Sequence, residues 1–159
     1  MTVIGAAPRP AGALRNTLAR FATGVAVVTT TRGDGTPAGV TVNSFTSVGL
    51  DPPFVLWCLG RTSSTLPAFA GNPVHVINIL SADQESVARQ FTSAGDRFAG
   101  IGLTAADPPV LAGTAAHLVC RVRETHDGGD HVIVLSEVLT HRAASARPLL
   151  FLDGRYTST

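Results

Sequence analysis

The most conspicuous absence in this sequence is lysine, since all twelve of its basic residues are arginine. Without a lysine amine the chain has no Walker-type phosphate loop, no Schiff-base nucleophile and no anchor for pyridoxal phosphate. Net charge is nearly absent as well, because twelve arginines face eleven carboxylates and leave a formal charge of +1. With no basic run along the chain, we predict that nucleic acid is not a partner.

Cysteine, metal-ligand clusters and long apolar runs are equally scarce. Cys58 and Cys120 match no zinc or redox spacing and the five histidines are scattered, so we predict reduced thiols and no metal site. No run approaches the roughly 18 apolar residues of a membrane helix, and no charged-then-apolar leader opens the sequence. We therefore expect a cytoplasmic protein with no membrane contact.

The composition that is present fits one folded domain. Of the 159 residues, 45% are hydrophobic, which is enough apolar side chain to build a buried core. We assign residues 11–159 to this domain and expect residues 1–10, "MTVIGAAPRP", to be a disordered tail.

Most of the chain has the pattern of short strands linked by hairpin-sized loops. The runs "GVAVVTTT", "AGVTVNSF", "PFVLWCL" and "PVHVINIL" predict strands. Two longer strands, over residues 115–126 and 131–141, flank the turn signal "DGGD". Six or seven strands without regular βαβ alternation favour an antiparallel β-barrel over a doubly wound sheet.

Three short helices are predicted, one before the first strand and two between later strands. In "AGALRNTLARF", the residues Leu14, Leu18 and Phe21 recur at helical spacing. The run "TSSTLPAFAG" has hydroxyl residues to cap a helix start and a glycine to end it. The run "SADQESVARQF" contains a capping box in Ser81 and Gln84, followed by an apolar face. We expect all three helices at the periphery of the barrel.

The segment "TVNSFTSV" is unusual because it sets amide and hydroxyl groups on both faces of a predicted strand. As one strand it places Thr41 and Asn43 on one face and Ser44 on the other. Buried polar groups need hydrogen-bond partners, so these residues either bind a polar ligand or lie on a solvated edge strand. A second hydroxyl cluster, "RTSST", is either an ordinary helix cap or, with Arg61, a phosphate cradle.

Side-chain motifs for independent catalysis are missing. The sequence contains no GxSxG, HExxH or CxxC motif, and its acidic residues are dispersed mainly in turns. The run "GIGLTA" matches the letters of a dinucleotide fingerprint, but no strand precedes it. If the protein is an enzyme, a cofactor therefore supplies the difficult chemistry.

Six segments, taken in order, resemble one known family: "RFATGVAVVTT", "AGVTVNSFTSVGLDPPFVLWCL", "VINILSADQESVARQF", "DRF", "GDHVIVLSEV" and "PLLFLDGRY". This set is similar to the flavin reductase family, over about residues 14–156. The resemblance implies a mainly β fold with short helices, the FMN-binding split β-barrel, assembled as a homodimer. It also implies hydride transfer from NADH or NADPH to free FMN or FAD, which then serves a partner flavin-dependent monooxygenase. A non-catalytic flavin carrier or sensor of the same fold is the alternative.

The resemblance also implies site residues. The segment "TVNSFTSV" would wrap the isoalloxazine ring and "CLGRTSST" would approach the ribityl phosphate, while the catalytic candidate His131 would lie by the nicotinamide. Gly49 stands where a serine is common, and Arg61 with Thr62 occupies a variable stretch that helps to select FMN or FAD, so the choice of flavin stays open. The predicted cofactor-binding residues are Thr41, Val42, Asn43, Ser44, Phe45, Ser47, Val48, Cys58, Leu59, Thr62, Ser63, Ser64 and Thr65, with Arg89 and Phe91 near the phosphate and Arg155 and Tyr156 at the nicotinamide mouth.

Overall fold

The computed structural model describes residues 11–158. These residues contain twelve strands and three helices. In chain order they are α1 (Ala11–Leu18), β1 (Thr23–Gly24), β2 (Ala26–Thr31), β3 (Pro37–Val42), β4 (Thr46–Leu50), β5 (Pro53–Gly60), α2 (Leu66–Gly71), β6 (Val74–Ile79), α3 (Glu85–Gln90), β7 (Leu103–Ala106), β8 (Pro109–Leu111), β9 (Ala116–Asp127), β10 (His131–Ala143), β11 (Leu150–Leu152) and β12 (Arg155–Thr157). The expected disordered tail, residues 1–10, lies outside the described residues. None of the three described helices has the length and apolar composition needed to cross a membrane.

Seven of the strands form one antiparallel sheet in the order β3-β2-β6-β9-β10-β5-β4. Apolar side chains from one face of this sheet pack into a single cluster, to which β2, β5, β6, β9 and β10 all contribute. The sheet therefore curls around the cluster, and its concave face is the interior of a barrel. Its edge strands, β3 and β4, do not pair with each other, so the barrel is split. The predicted mainly β, split-barrel class is confirmed.

The barrel interior holds a small polar cluster of Trp57, His75 and Ser136 among its apolar side chains. Trp57 is fully buried and packs edge-on against Phe69 of α2, with ring centroids 5.1 Å apart. Trp57 Nε1 donates a hydrogen bond to His75 Nε2 at 3.2 Å, and the Ser136 hydroxyl lies 3.3 Å from the same nitrogen. The Nδ1 atom of His75 has no partner among residues 11–158. Because burial disfavours the charged ring, the pKa of His75 is lowered to about 4.

A second core lies on the opposite face of β2, under α3, β8 and the β11–β12 hairpin. Asn78 links β2 to β8 on this side. Its Nδ2 donates to Val27 O at 3.0 Å, and its Oδ1 accepts the Leu111 N–H at 2.9 Å. Phe91 is fully buried here and lies against Gly39, where an added Cβ would come within 2.5 Å of Phe91 Cε1. The close approach of the ring explains why β3 carries a glycine at this position.

The predicted elements are largely confirmed. The hairpin of β9 and β10 matches the expected ranges 115–126 and 131–141 closely. All three helices are present, and α3 buries its apolar face as expected. The capping box is half formed: Gln84 Oε1 accepts the Ser81 N–H at 3.0 Å, whereas the Ser81 hydroxyl donates to Gly113 O at 2.8 Å.

Three details of the sequence prediction are wrong. The run "TVNSFTSV" is not one strand, because β3 ends at Val42 and β4 begins at Thr46 after a bend. The described strands number twelve rather than six or seven, since short pairs such as β7 with β8 have no clear periodicity. The hydroxyls before α2 do not cap it: Thr65 makes no side-chain capping bond, and its Oγ1 lies 2.8 Å from Ser63 Oγ instead.

Candidate active site

β3 and β5 lie close together at the split of the barrel but do not pair with each other. The pairing of β4 with β5 reaches Thr46 and Leu56 and goes no further. Beyond this point the Ser44 hydroxyl accepts the Cys58 N–H at 2.9 Å and donates to Cys58 O at 3.3 Å. One side chain thus satisfies both backbone groups at the place where the ladder stops. We call the space between β3 and the chain that continues from β5 into residues 61–65 the split groove.

Two of the polar residues at and just before the bend are hydrogen-bonded within the protein, and one is not. The Thr41 hydroxyl donates to Ala88 O at 2.7 Å and so fastens β3 to α3. Ser44 is committed to Cys58, as described above. The Asn43 side-chain amide is exposed and makes no hydrogen bond within residues 11–158. Asn43 is therefore the amide of this segment that is available to a ligand.

The bend lines a cleft of about 1030 Å³. This cleft brings together two segments that the resemblance assigns to different ligands: residues 43–45, expected at the flavin, and His131, expected at the nicotinamide. Its lining includes Leu18, Phe21, Asn43, Ser44, Phe45, Thr46, His131 and Phe151. The cleft is large enough for two ring systems that contact each other. Polar groups lie at its edge and aromatic groups at its walls.

His131 begins β10, and its position depends on the β9–β10 turn. Arg61 holds that turn to the end of β5: its Nη2 pairs with Asp127 Oδ1 at 2.7 Å and its Nε donates to Gly129 O at 2.8 Å. The His131 ring donates Nδ1–H to Asp130 Oδ1 at 2.8 Å, which leaves Nε2 for the cleft. The same hydrogen bond lowers the pKa of the Asp130 carboxyl. Similarly, the hydrogen bond from Arg61 lowers the pKa of Asp127.

The predicted residues on α3 and β12 lie together, but they occupy different environments. The Arg89 guanidinium pairs with Glu85 at 2.6 Å and stacks over the Tyr156 ring, 5.0 Å from its centroid. Tyr156 lines a pocket of about 180 Å³ that also contacts Asn43, so it belongs to the mouth of the groove. Arg155 is exposed, whereas Phe91 is fully buried in the second core and has no direct route to a ligand.

The second hydroxyl cluster lies at the far end of the split groove. Thr65 is buried, while Ser64 is exposed and lines a pocket of about 160 Å³, which we call the polar pocket. Two arginines that the sequence analysis did not select, Arg32 and Arg97, also line it. Only the "DRF" run of the resemblance drew attention to one of them, and it assigned no role to the side chain.

The remaining predicted residues are dispersed over β3, β4, β5 and the chain that follows β5. Ser47, Val48 and Thr62 are exposed, Ser63 and Cys58 are half-buried, and Val42 is half-buried beside the bend; Leu59 is buried inside the barrel. Both cysteines are free thiols, and burial raises the pKa of Cys120 to about 12. The roles of Val42, Ser47, Val48, Cys58, Leu59, Thr62 and Ser63 toward a cofactor stay predictions.

The donor set of the groove fits a planar heteroaromatic cofactor with a phosphate tail. Three pockets supply this set: the cleft has the free amide of Asn43 and the ring of Phe45, the neighbouring pocket has Tyr156, and the polar pocket has two arginines. Among residues 11–158 no group of three or more histidine, cysteine or carboxylate side chains is placed to hold a metal ion. The cleft itself offers groups that can bind and align reactants, namely the amide of Asn43, the ring of Phe45 and the ring of His131.

Comparison with known proteins gives a consistent result. The family model described as "Flavin reductase like domain" matches residues 18–159. The chain is 44% identical over 144 residues to an FMN reductase (NADH), SmoA, of Agrobacterium fabrum, covering 89% of this chain and 82% of the relative. It is 38% identical to the flavin-dependent monooxygenase reductase subunit HsaB of Rhodococcus jostii, covering 90% of this chain and 75% of the relative.

Solved structures agree with these sequence matches. An NADH:FAD oxidoreductase of Streptomyces globisporus C-1027, in complex with NAD and FAD fragments, superimposes with a TM-score of 0.85 at 37% identity. The match covers 91% of this chain and 89% of that structure. Some other relatives are longer, and this chain spans about half of their length.

Proposed function

The chain belongs to the flavin reductase family, and on that premise we propose that it reduces free FMN or FAD with NADH or NADPH. The reduced flavin would serve a partner flavin-dependent monooxygenase, as the name of the relative HsaB indicates for that protein. The observation that carries the proposal is the shared cleft, in which the free amide of Asn43 and the ring of His131 line one space.

The residues around the bend would hold the flavin ring. Asn43 offers both a donor and an acceptor to the polar edge of the ring, and Phe45 offers an aromatic surface. When bound, the flavin supplies N5 as the acceptor for a hydride from nicotinamide C4. The chain's contribution is then to hold both rings in contact and to keep water out of the cleft, which is a catalysis of positioning. No side chain of the cleft needs to donate a proton in that step.

The nicotinamide side of the cleft would be built by the β9–β10 turn. Asp130 fixes the His131 ring through Nδ1, so that Nε2 can bond to a carboxamide or phosphate group. Tyr156 lines the neighbouring pocket beside Asn43, and the exposed Arg155 would lie near the same ligand. A flavin carrier or sensor would have no use for a second ligand site, so this arrangement favours the enzyme over that alternative.

We further propose that two copies of the chain assemble into a homodimer. Leu18 and Phe21 are 64% and 79% exposed although they lie at the wall of the cleft. Large apolar side chains that are exposed together are typical of a surface that another chain covers. We place the protein in the cytoplasm, where the free thiols of Cys58 and Cys120 would stay reduced.

The proposal is tested by following NADH oxidation at catalytic protein concentration with an excess of free FMN or FAD. We expect turnover to rise with added flavin and to saturate, because the flavin is a substrate. Turnover that does not respond to added flavin would contradict this role and would indicate a permanently bound group.

A further inference from the structure

The barrel contains a further cavity, which the proposed reaction does not use. It has a volume of about 450 Å³ and lies between α2, β5 and the turn end of the β9–β10 hairpin. The buried side chains of Leu59 and Val134 line it on the inside, and the exposed residues Pro73 and Thr125 line it where it opens to solvent. We call this cavity the interior pocket.

The interior pocket is separate from the cleft, although both lie along β10. No described residue lines the two spaces together. His131 lines the cleft, whereas the next residue, Val132, lines the interior pocket, because successive side chains of a strand point to opposite faces. Val132 pairs with Leu59 of β5, and His131 pairs with Gly60. A molecule in the interior pocket would therefore contact the opposite face of the strand that carries His131 and would leave the cleft free.

The size and the lining of the interior pocket indicate a small neutral ligand. None of the described residues that line it is charged. A charged group placed there would lose its hydration without gaining an opposite charge, so an ion is disfavoured. A cavity of about 150 Å³ suffices to bind benzene, and ligand sites span roughly 300 to 1,000 Å³. The interior pocket is therefore large enough for one or two aromatic rings.

Two rings and one hydroxyl make this preference more specific. Trp57 and Phe69, whose ring centroids lie 5.1 Å apart, both belong to the lining, and aromatic ligands pack well against such rings. Trp57 Nε1 is already bonded to His75, so it is not available to a ligand. The Thr125 hydroxyl, at the opening, makes no hydrogen bond within residues 11–158. It is the side-chain group of the lining that can bond to a polar substituent.

We propose that the interior pocket binds a small phenol, a neutral aromatic molecule with one hydroxyl group. The ring would lie among the apolar side chains, and the hydroxyl would bond to Thr125. This assignment is independent of the proposed function, because no residue of the cleft takes part in it. The phenol is not a reactant in hydride transfer, since it lies on the other face of β10 from His131.

The test follows the binding of three fluorinated probes by fluorine NMR at neutral pH, with and without an excess of FMN. The first probe, para-fluorophenol, has the ring and the hydroxyl; para-fluorotoluene lacks the hydroxyl, and para-fluorobenzoate carries a charge. We expect the phenol to bind saturably and most tightly, the toluene more weakly and the benzoate not at all. FMN should leave the phenol bound. Displacement of the phenol by FMN would place it in the cleft and overturn the proposal, as would benzoate that binds as tightly as the phenol.

Thr125→Val replaces the hydroxyl with a methyl group and keeps the shape of the side chain. We expect it to lower the affinity for para-fluorophenol about 3- to 10-fold, as for the loss of one neutral hydrogen bond, and to change that for para-fluorotoluene little. Thr140→Val is the matched control, since Thr140 is an exposed threonine of β10 outside the lining, and it should bind both probes as the unaltered protein does. An equal loss for both probes in Thr125→Val would overturn the assignment of the hydroxyl.

A variant that fills the pocket gives a second test. Val122 is half-buried on β9 and lines the pocket, so Val122→Phe should occupy part of its volume. We expect the phenol and toluene probes to lose binding while the circular dichroism spectrum stays that of the unaltered protein. Retained phenol binding would overturn the proposal. A phenol affinity that falls as the protein concentration rises would also overturn it, because a second copy of the chain would then cover the pocket.

Discussion

The buried histidine of the barrel interior should make folding stability depend on pH in a defined window. Burial lowers the pKa of His75 from 6.5 to about 4 in the folded protein. An unfolded chain therefore binds more protons than the folded chain between these values, so stability falls as the pH falls below about 6.5. The full shift corresponds to about 3 kcal/mol, of which about 2 kcal/mol is lost between roughly pH 7.5 and pH 5.

The structure identifies the variant that isolates this effect. In His75→Gln the side chain still offers an acceptor to Trp57 Nε1, but it cannot take up a proton. We expect urea unfolding, followed by circular dichroism, to show a stability loss on acidification that is smaller by about 2 kcal/mol in the variant. Exposed carboxylates titrate in both proteins, so their contribution cancels in the difference.

His141→Gln is the matched control, because His141 is exposed on β10. Its pH dependence should equal that of the unaltered protein. If His75→Gln keeps the full acid-induced loss, the imidazole is not the group that is protonated on unfolding, and the argument from burial fails.

Three further predictions concern the groove. Asn43→Ala should weaken flavin binding by roughly 1 to 3 kcal/mol without loss of the fold, because it removes the free amide of the bend; unchanged affinity in a fluorescence titration would point to a merely solvated segment. His131→Ala should raise KM for NADH several-fold more than it weakens flavin binding, which steady-state kinetics can separate; lower thermal stability alone would assign the residue to the turn. Gly39→Ala should destabilise the protein by about 1 to 3 kcal/mol, since the new Cβ would lie 2.5 Å from Phe91 Cε1; an unchanged unfolding midpoint would mean that the ring moves aside freely.

The parts of the fold that follow from local pattern could be predicted from the sequence. The β9–β10 hairpin combines two apolar runs with a two-glycine turn, and α3 combines a helical stripe with the Gln84 side chain that bonds back to Ser81. Each signal is local in sequence: the two strands flank one tight turn, and Gln84 bonds to a residue three positions earlier.

The bend and the polar pocket could not be predicted in the same way. The predicted strand runs through residues 43–45, but the structure breaks it there, where Ser44 bonds to Cys58, a partner fourteen residues away. Arg32 and Arg97 meet only because the barrel brings a hairpin loop next to the loop after α3. Nothing in the sequence around either residue indicates the other, so the pocket is visible only in three dimensions.

The lone tryptophan and the lone tyrosine give the protein two separate optical reporters. Trp57 is enclosed in the barrel and bonded to His75, so its emission should register opening of the interior and, since a protonated imidazole quenches indole, the charge on that ring. Tyr156 stands at the mouth of the groove under Arg89, so its near-ultraviolet signal should change when that mouth is occupied. Unfolding and occupancy can thus be recorded from one sample at two wavelengths, without attaching a label.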